Sequence, residues 1–150
     1  FLLVSLSIET ILGETTISKR RKILNEMTKR QNVGDVYTAT LERIKAQSGS
    51  KSRLAMDALM WISHSEIPLE PAELCEALGV ELGTPDLDIE NVPSMRTIVE
   101  CSLGLITVDS SSSEVRLVHF TLQEYLHANP TLFHSPHSKM AEVCLTYLNF

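Results

Sequence analysis

The chain has 150 residues, 43% of them hydrophobic, which is enough for one ordinary domain or two small ones with a packed core. Its net charge of −6 argues against a nucleic-acid backbone as the default partner, because phosphate binding needs concentrated Lys and Arg. The opening FLLVSLSI is apolar for only eight residues before Glu9, too short to cross a bilayer and lacking the flanks of a signal peptide. It reads as the end of a buried helix continuing from upstream sequence. The apolar turn from Tyr147 to Phe150 likewise suggests a piece of a longer polypeptide.

In chain order, residues 1–12 read as an apolar helix stopped by Gly13, and 15–27 as a second helix with Ile17, Ile23, Leu24 and Met27 on one side. The SKRRK run inside it is short and reads as a solvated face. A break at 31–35 is followed by Tyr37, Leu41 and Ile44 at helical spacing, with Asp35 placed to cap. SGSKS, 48–52, has linker composition and marks a subdomain boundary. Leu54, Ala55, Ala58, Leu59 and Ile62 then form the apolar face of a helix over about 53–65. Ile67-Pro68-Leu69 is a short extended connector. Pro71 suits a first helical turn, Leu74, Cys75 and Leu78 face inward, and Gly79 ends that helix.

A polar loop over 83–93 leads to a third short helix, with Met95, Ile98 and Val99 inward and Gly104 at its end. The β-prone runs 105–108 and 115–119 around the serine turn 110–113 predict a hairpin. The serines read as a hairpin tip rather than a modification site. Thr121 and Glu124 match a capping box, with Leu122, Tyr125 and Leu126 buried behind it. A last helix begins at Ser135-Pro136. Its Met140, Val143, Cys144, Tyr147 and Leu148 make the cleanest amphipathic stripe in the chain.

Three cysteines, Cys75, Cys101 and Cys144, are widely spaced and set in apolar patterns. They read as reduced, buried thiols of a cytoplasmic protein, with no disulfide framework and no metal site. His134 and His137 have no partner motif for a metal. His64, His127, His134 and His137 are all expected to be packed or solvent-exposed. No GxSxG or other nucleophile setting supports an enzyme.

From residue 53 the order is helix, short extended piece, helix, helix, strand, turn, strand. That order predicts a mainly α fold: a helical subdomain, a winged helix of three helices plus a two-stranded wing, and C-terminal helices. Winged helices often read DNA through the third helix. Here that helix carries only Arg96 against Glu100, and the wing sets Asp109 and Glu114 against Arg116, so protein contact is the better expectation.

The segments VYTATLERI, LAMDALMWISHSEIPLEPAELCEAL, IVECSLGLITVD and VRLVHFTLQEYL resemble the region after the ATPase core of NACHT-type STAND proteins. The likeness extends to fungal NACHT proteins that carry ankyrin repeats further on, and LVHFTLQEYL is similar to a stretch in the winged helix of NOD-like receptors. The resemblance implies a small helical domain (1–48), a winged helix (53–127) and a helix (135–150) leading toward repeats. It implies folding back on the NACHT core of the same chain, with self-association on activation and neither nucleic acid nor membrane as partner. His119 takes the role of contacting the ADP phosphate in the closed state. The resemblance makes Phe120, Leu122 and Tyr125 packing residues, and Thr121 and Glu124 the cap.

ADP or ATP with Mg would belong to the intact protein. These 150 residues hold neither a Gly-rich phosphate loop nor a recognisable Mg-binding strand, and the Leu-Pro pair usual before the VYTATLERI-like helix is replaced by NEMTKRQNVGDV. Alternation by itself places Val115, Leu117 and His119 on one strand face, which would make His119 an interior histidine. A scaffold without nucleotide contact, or a DNA-binding winged helix, remain as alternatives.

Overall fold

In the computed structural model the described residues are 15–21 and 33–150. The expected helix over 1–12 lies outside them. Of the helix expected over 15–27, residues 17–21 are described and helical. The chain divides into two compact units between Arg43 and Ile44.

Helix α1 (Val33–Lys45) buries Val36, Tyr37, Leu41 and Ile44, the spacing its sequence predicts. Asp35 is not its cap. It lies inside the first turn, where a carboxylate faces the positive end of the helix dipole.

The second unit is mainly helical around a small antiparallel hairpin. Helix α2 (Gly49–His64) is its centre, packing against four other helices and a strand. It begins earlier than expected: Ser48 is its N-cap residue and the supposed linker, 49–52, forms the first turn. A glycine costs about 1 kcal/mol in a helix interior. In a first turn that cost is offset by the buried face further along, where Ala55, Ala58 and Leu59 are fully enclosed.

Helix α3 (Pro71–Gly79) starts with Pro71 in the first turn. The Glu73 carboxylate accepts a hydrogen bond from the Glu70 N–H at 2.9 Å. Leu74 and Cys75 are buried. Burial first, and then the neighbouring Glu76 carboxylate, push the Cys75 thiol above its ordinary value, so it stays protonated and inert.

Gly79 closes α3 for a packing reason. A Cβ there would lie 2.8 Å from Val92 Cγ2 and 3.0 Å from Val92 Cα, and the Asn91 side chain donates to the Gly79 carbonyl at 3.0 Å. The loop after α3 is thus drawn flat against the helix end, through a 3-10 turn at Ile89–Asn91. Gly79→Ala is expected to lower unfolding stability by about 1–3 kcal/mol, because the clash includes backbone that cannot rotate away. Urea denaturation measures it.

Helix α4 (Met95–Cys101) is capped by Ser94, whose hydroxyl accepts from the Thr97 N–H at 3.2 Å. The chain then reverses through Leu103 and Gly104, both at positive φ. Strands β1 (Ile106–Asp109) and β2 (Glu114–Leu117) pair with Ile106 opposite Leu117 and Val108 opposite Val115. Leu69 adds a single bridge to Val115, as the extended connector predicts. On the wing Arg116 lies 3.3 Å from Asp109 and also pairs with Glu114, so its cation is taken up by two carboxylates and the group stays net negative.

Helix α5 (Phe120–Ala128) buries Leu122 and Leu126. Helix α6 (Pro136–Tyr147) follows a 3-10 turn at Pro130–Leu132 and is less embedded than its stripe predicts. Val143 is buried, but Cys144, Tyr147 and Leu148 are exposed. Two of the three cysteines are therefore enclosed and one is not; all three are free. An apolar stripe records a preference for cover, not the presence of something to cover it.

Candidate functional site

The HFTLQEY stretch lies where β2 hands over to α5. The strand ends at Leu117, so the alternation that would carry His119 into the core stops before reaching it. His119 is exposed, in extended conformation, as the N-cap residue of α5. The interior-histidine expectation gives way for that reason.

The cap itself also differs from the expectation. Thr121 is inside the first turn and does not cap. His119 does: its Nδ1 accepts from the Thr121 N–H at 3.3 Å and lies 2.9 Å from the Thr121 hydroxyl. A ring nitrogen that accepts carries no proton, so a neutral His119 holds its proton on Nε2. Nε2 makes no hydrogen bond among the described residues. The ring is steadied by Phe120, with centroids 4.5 Å apart. One nitrogen is committed to the helix start, and the other is left as a donor.

His119 borders a groove of about 530 Å³ whose walls include Ile62, Ile67, Leu69, Leu117, Phe120 and Gln123. Ile67 and Phe120, 72% and 67% exposed, give the groove an apolar stretch beside Glu66 and Arg116, which also line it.

Sequence reading missed the role of Gln123. Its side-chain amide donates to the Ser63 carbonyl at 2.7 Å, and His127 Nε2 reaches the same oxygen at 2.7 Å. Ser63 belongs to the last turn of α2, where carbonyls lack helical partners. One face of α5 therefore closes the C-terminal end of α2 and sets the angle at which His119 is presented. The i,i+4 spacing of Gln123 and His127 was the available signal. Gln123→Ala should cost about 0.5–1.5 kcal/mol, since His127 still satisfies the carbonyl. Thermal unfolding of the variant measures that loss.

His127 meets His64, whose ring centroid is 5.2 Å away, and His137 meets His64 at 5.4 Å. The structure thus gathers three histidines that the sequence leaves scattered. Among the described residues no group of His, Cys, Asp and Glu side chains could hold a metal ion, and no helix is long and apolar enough to cross a membrane. The α4 helix offers little to a nucleic acid: Arg96 is taken by Glu100 at 2.9 Å, a pairing that keeps its guanidinium above even the usual arginine range.

Three helices, a bridging connector and a two-stranded wing define a winged-helix domain. Residues 41–141, more than half of the chain, match the family described as "GPI inositol-deacylase, winged helix domain", and the chain belongs to that family. No curated protein and no solved structure matches it.

Proposed function

We propose that the chain is the non-catalytic regulatory module of a NACHT-type signalling NTPase, folding on the nucleotide-binding core and stabilising its ADP-bound inactive state. One observation carries the reading: His119 stands exposed at the start of α5 with Nδ1 committed to the helix and Nε2 uncommitted. In this reading Nε2–H donates to a phosphate oxygen of ADP held by the core, and the helix start favours the same negative charge. The apolar stretch at Ile67 and Phe120 supplies docking area against the core. Hydrolysis and Mg binding belong to the core, whose phosphate loop this chain lacks. In this reading the winged helix and the helix that follows it form one module working in the cytoplasm. Opening of the closed form would permit self-association.

The test uses the intact protein, purified with its nucleotide. His119→Ala is expected to speed ADP release about tenfold. Unchanged retention overturns the phosphate contact and leaves a scaffold role. The family's description favours a second reading, in which the domain is a non-catalytic part of a hydrolase acting on a glycosylated inositol phospholipid. An intact protein that carries no nucleotide, and binds none when ADP is added, would favour that reading.

A further inference from the structure

Helix α6 is held by few contacts, and they differ in kind from those of the core. Val143 is its buried side chain. Lys139 pairs with Asp57 of α2 at 2.6 Å, and the Tyr147 hydroxyl donates to Glu76 of α3 at 2.7 Å. At its start, His137 meets the His64 ring. His64 is a hub. His127 of α5, His137 of α6 and Phe133 of the preceding segment stand edge-on to it, with centroids 5.2, 5.4 and 5.6 Å away.

We propose that His64, with His127 and His137 standing edge-on to it, forms an acid-sensitive latch, which keeps α6 docked on α2 and α3 while the His64 ring is neutral and frees it when that ring becomes charged.

The hydrogen bonds fix where protons would add. His64 Nδ1 lies 2.9 Å from the Ser63 hydroxyl and 3.1 Å from the Met60 carbonyl; the carbonyl can only accept, so a proton on Nδ1 serves that contact and the next adds on Nε2. His127 Nε2 donates to the Ser63 carbonyl, so its Nδ1 is the basic atom. Charging two neighbouring rings at these separations sets like charges against each other across helix boundaries.

The charges available to offset this are few. Besides Asp57, α2 is followed by Glu66; α5 brings Glu124; α6 brings Lys139 and Glu142; His134 precedes α6. None of them is hydrogen bonded to the three rings among the described residues. The charged groups acting on His64 are His127 and His137, both of its own sign. Burial first, and those two rings after it, hold His64 below the ordinary imidazole value of 6.5, against the Met60 hydrogen bond, which favours the charged form.

The sign of the pH effect follows. A ring that takes up a proton less readily when docked supports docking fully above that ordinary value. The support is lost as pH falls below it.

Trp61 is the reporter. It is the single tryptophan of the chain, 6% exposed, and shares an apolar recess with Val143, Cys144, Tyr147 and Leu148 of the α6 side. Trp61 emission and far-UV circular dichroism would be followed from pH 8 to 5 for the wild type and for His137→Gln. That position is exposed, so the variant keeps the core. The wild type is expected to show a reversible red shift between about pH 6.5 and 5 with helical content retained, and His137→Gln to lose that step. The latch is overturned by any of three results: no red shift in the wild type above pH 5, the same step in the variant, or helical signal lost along with the shift.

Discussion

Leu59→Ala is expected to lower the unfolding free energy by about 2–5 kcal/mol, through lost burial plus the cavity left behind. Leu59 is fully enclosed in α2, the helix that packs against α3, α4, α5, α6 and β2. The elements packed on α2 and the Ser63 clamp hold that helix in place, so the void closes only in part. Domains of this size hold about 5–15 kcal/mol in total, so the variant loses a large share and melts on the order of 10 °C lower. Leu145→Ala is the control. Leu145 is 62% exposed on α6, and its loss should stay within about 0.5 kcal/mol. Guanidinium titration of both variants separates the two cases. Equal effects would mean that α2 is not the centre of the unit.

What was legible in the sequence is what short-range chemistry decides. Pro71 opens α3 because its missing N–H costs nothing in a first turn. The wing follows from two β-prone runs around a serine turn, and the winged-helix order follows from laying these pieces end to end.

The misreadings fall where a long-range contact overrules a local preference. SGSKS has linker composition, yet the buried face of α2 extends the helix back through it. Thr121 is a good capping residue, but the strand ends at Leu117 and the helix starts at Phe120, so His119 occupies the cap instead. The α6 stripe is amphipathic, but only Val143 of it is covered. His64, His127 and His137 lie far apart in the chain, and no spacing rule links them until α2, α5 and α6 are packed. Of the candidate site, the motif singled out His119, but its exposure at the start of α5 was only one of two placements the sequence left open. Its groove and the Gln123 clamp were not, because both depend on where α5 meets α2.

His119 carries two roles that a pair of substitutions can separate. His119→Ala removes both the Nδ1 cap and the Nε2 donor. His119→Ser keeps an acceptor for the N–H groups of the first turn, and serine is among the best N-cap residues, while its side chain is too short to reach where Nε2 reaches. In the isolated chain the alanine variant should lose about 0.5–1 kcal/mol of stability and the serine variant almost none, by thermal unfolding. In the intact protein both should release ADP about tenfold faster or more, because a charge-assisted hydrogen bond worth about 1.5–3 kcal/mol is lost in each. If ADP release instead followed stability, fast for alanine and unchanged for serine, the imidazole would act only by holding α5 in place. A release rate equal to wild type in both variants would remove His119 from the nucleotide altogether. The proposal therefore predicts a dissociation: stability distinguishes the two variants, and nucleotide retention does not.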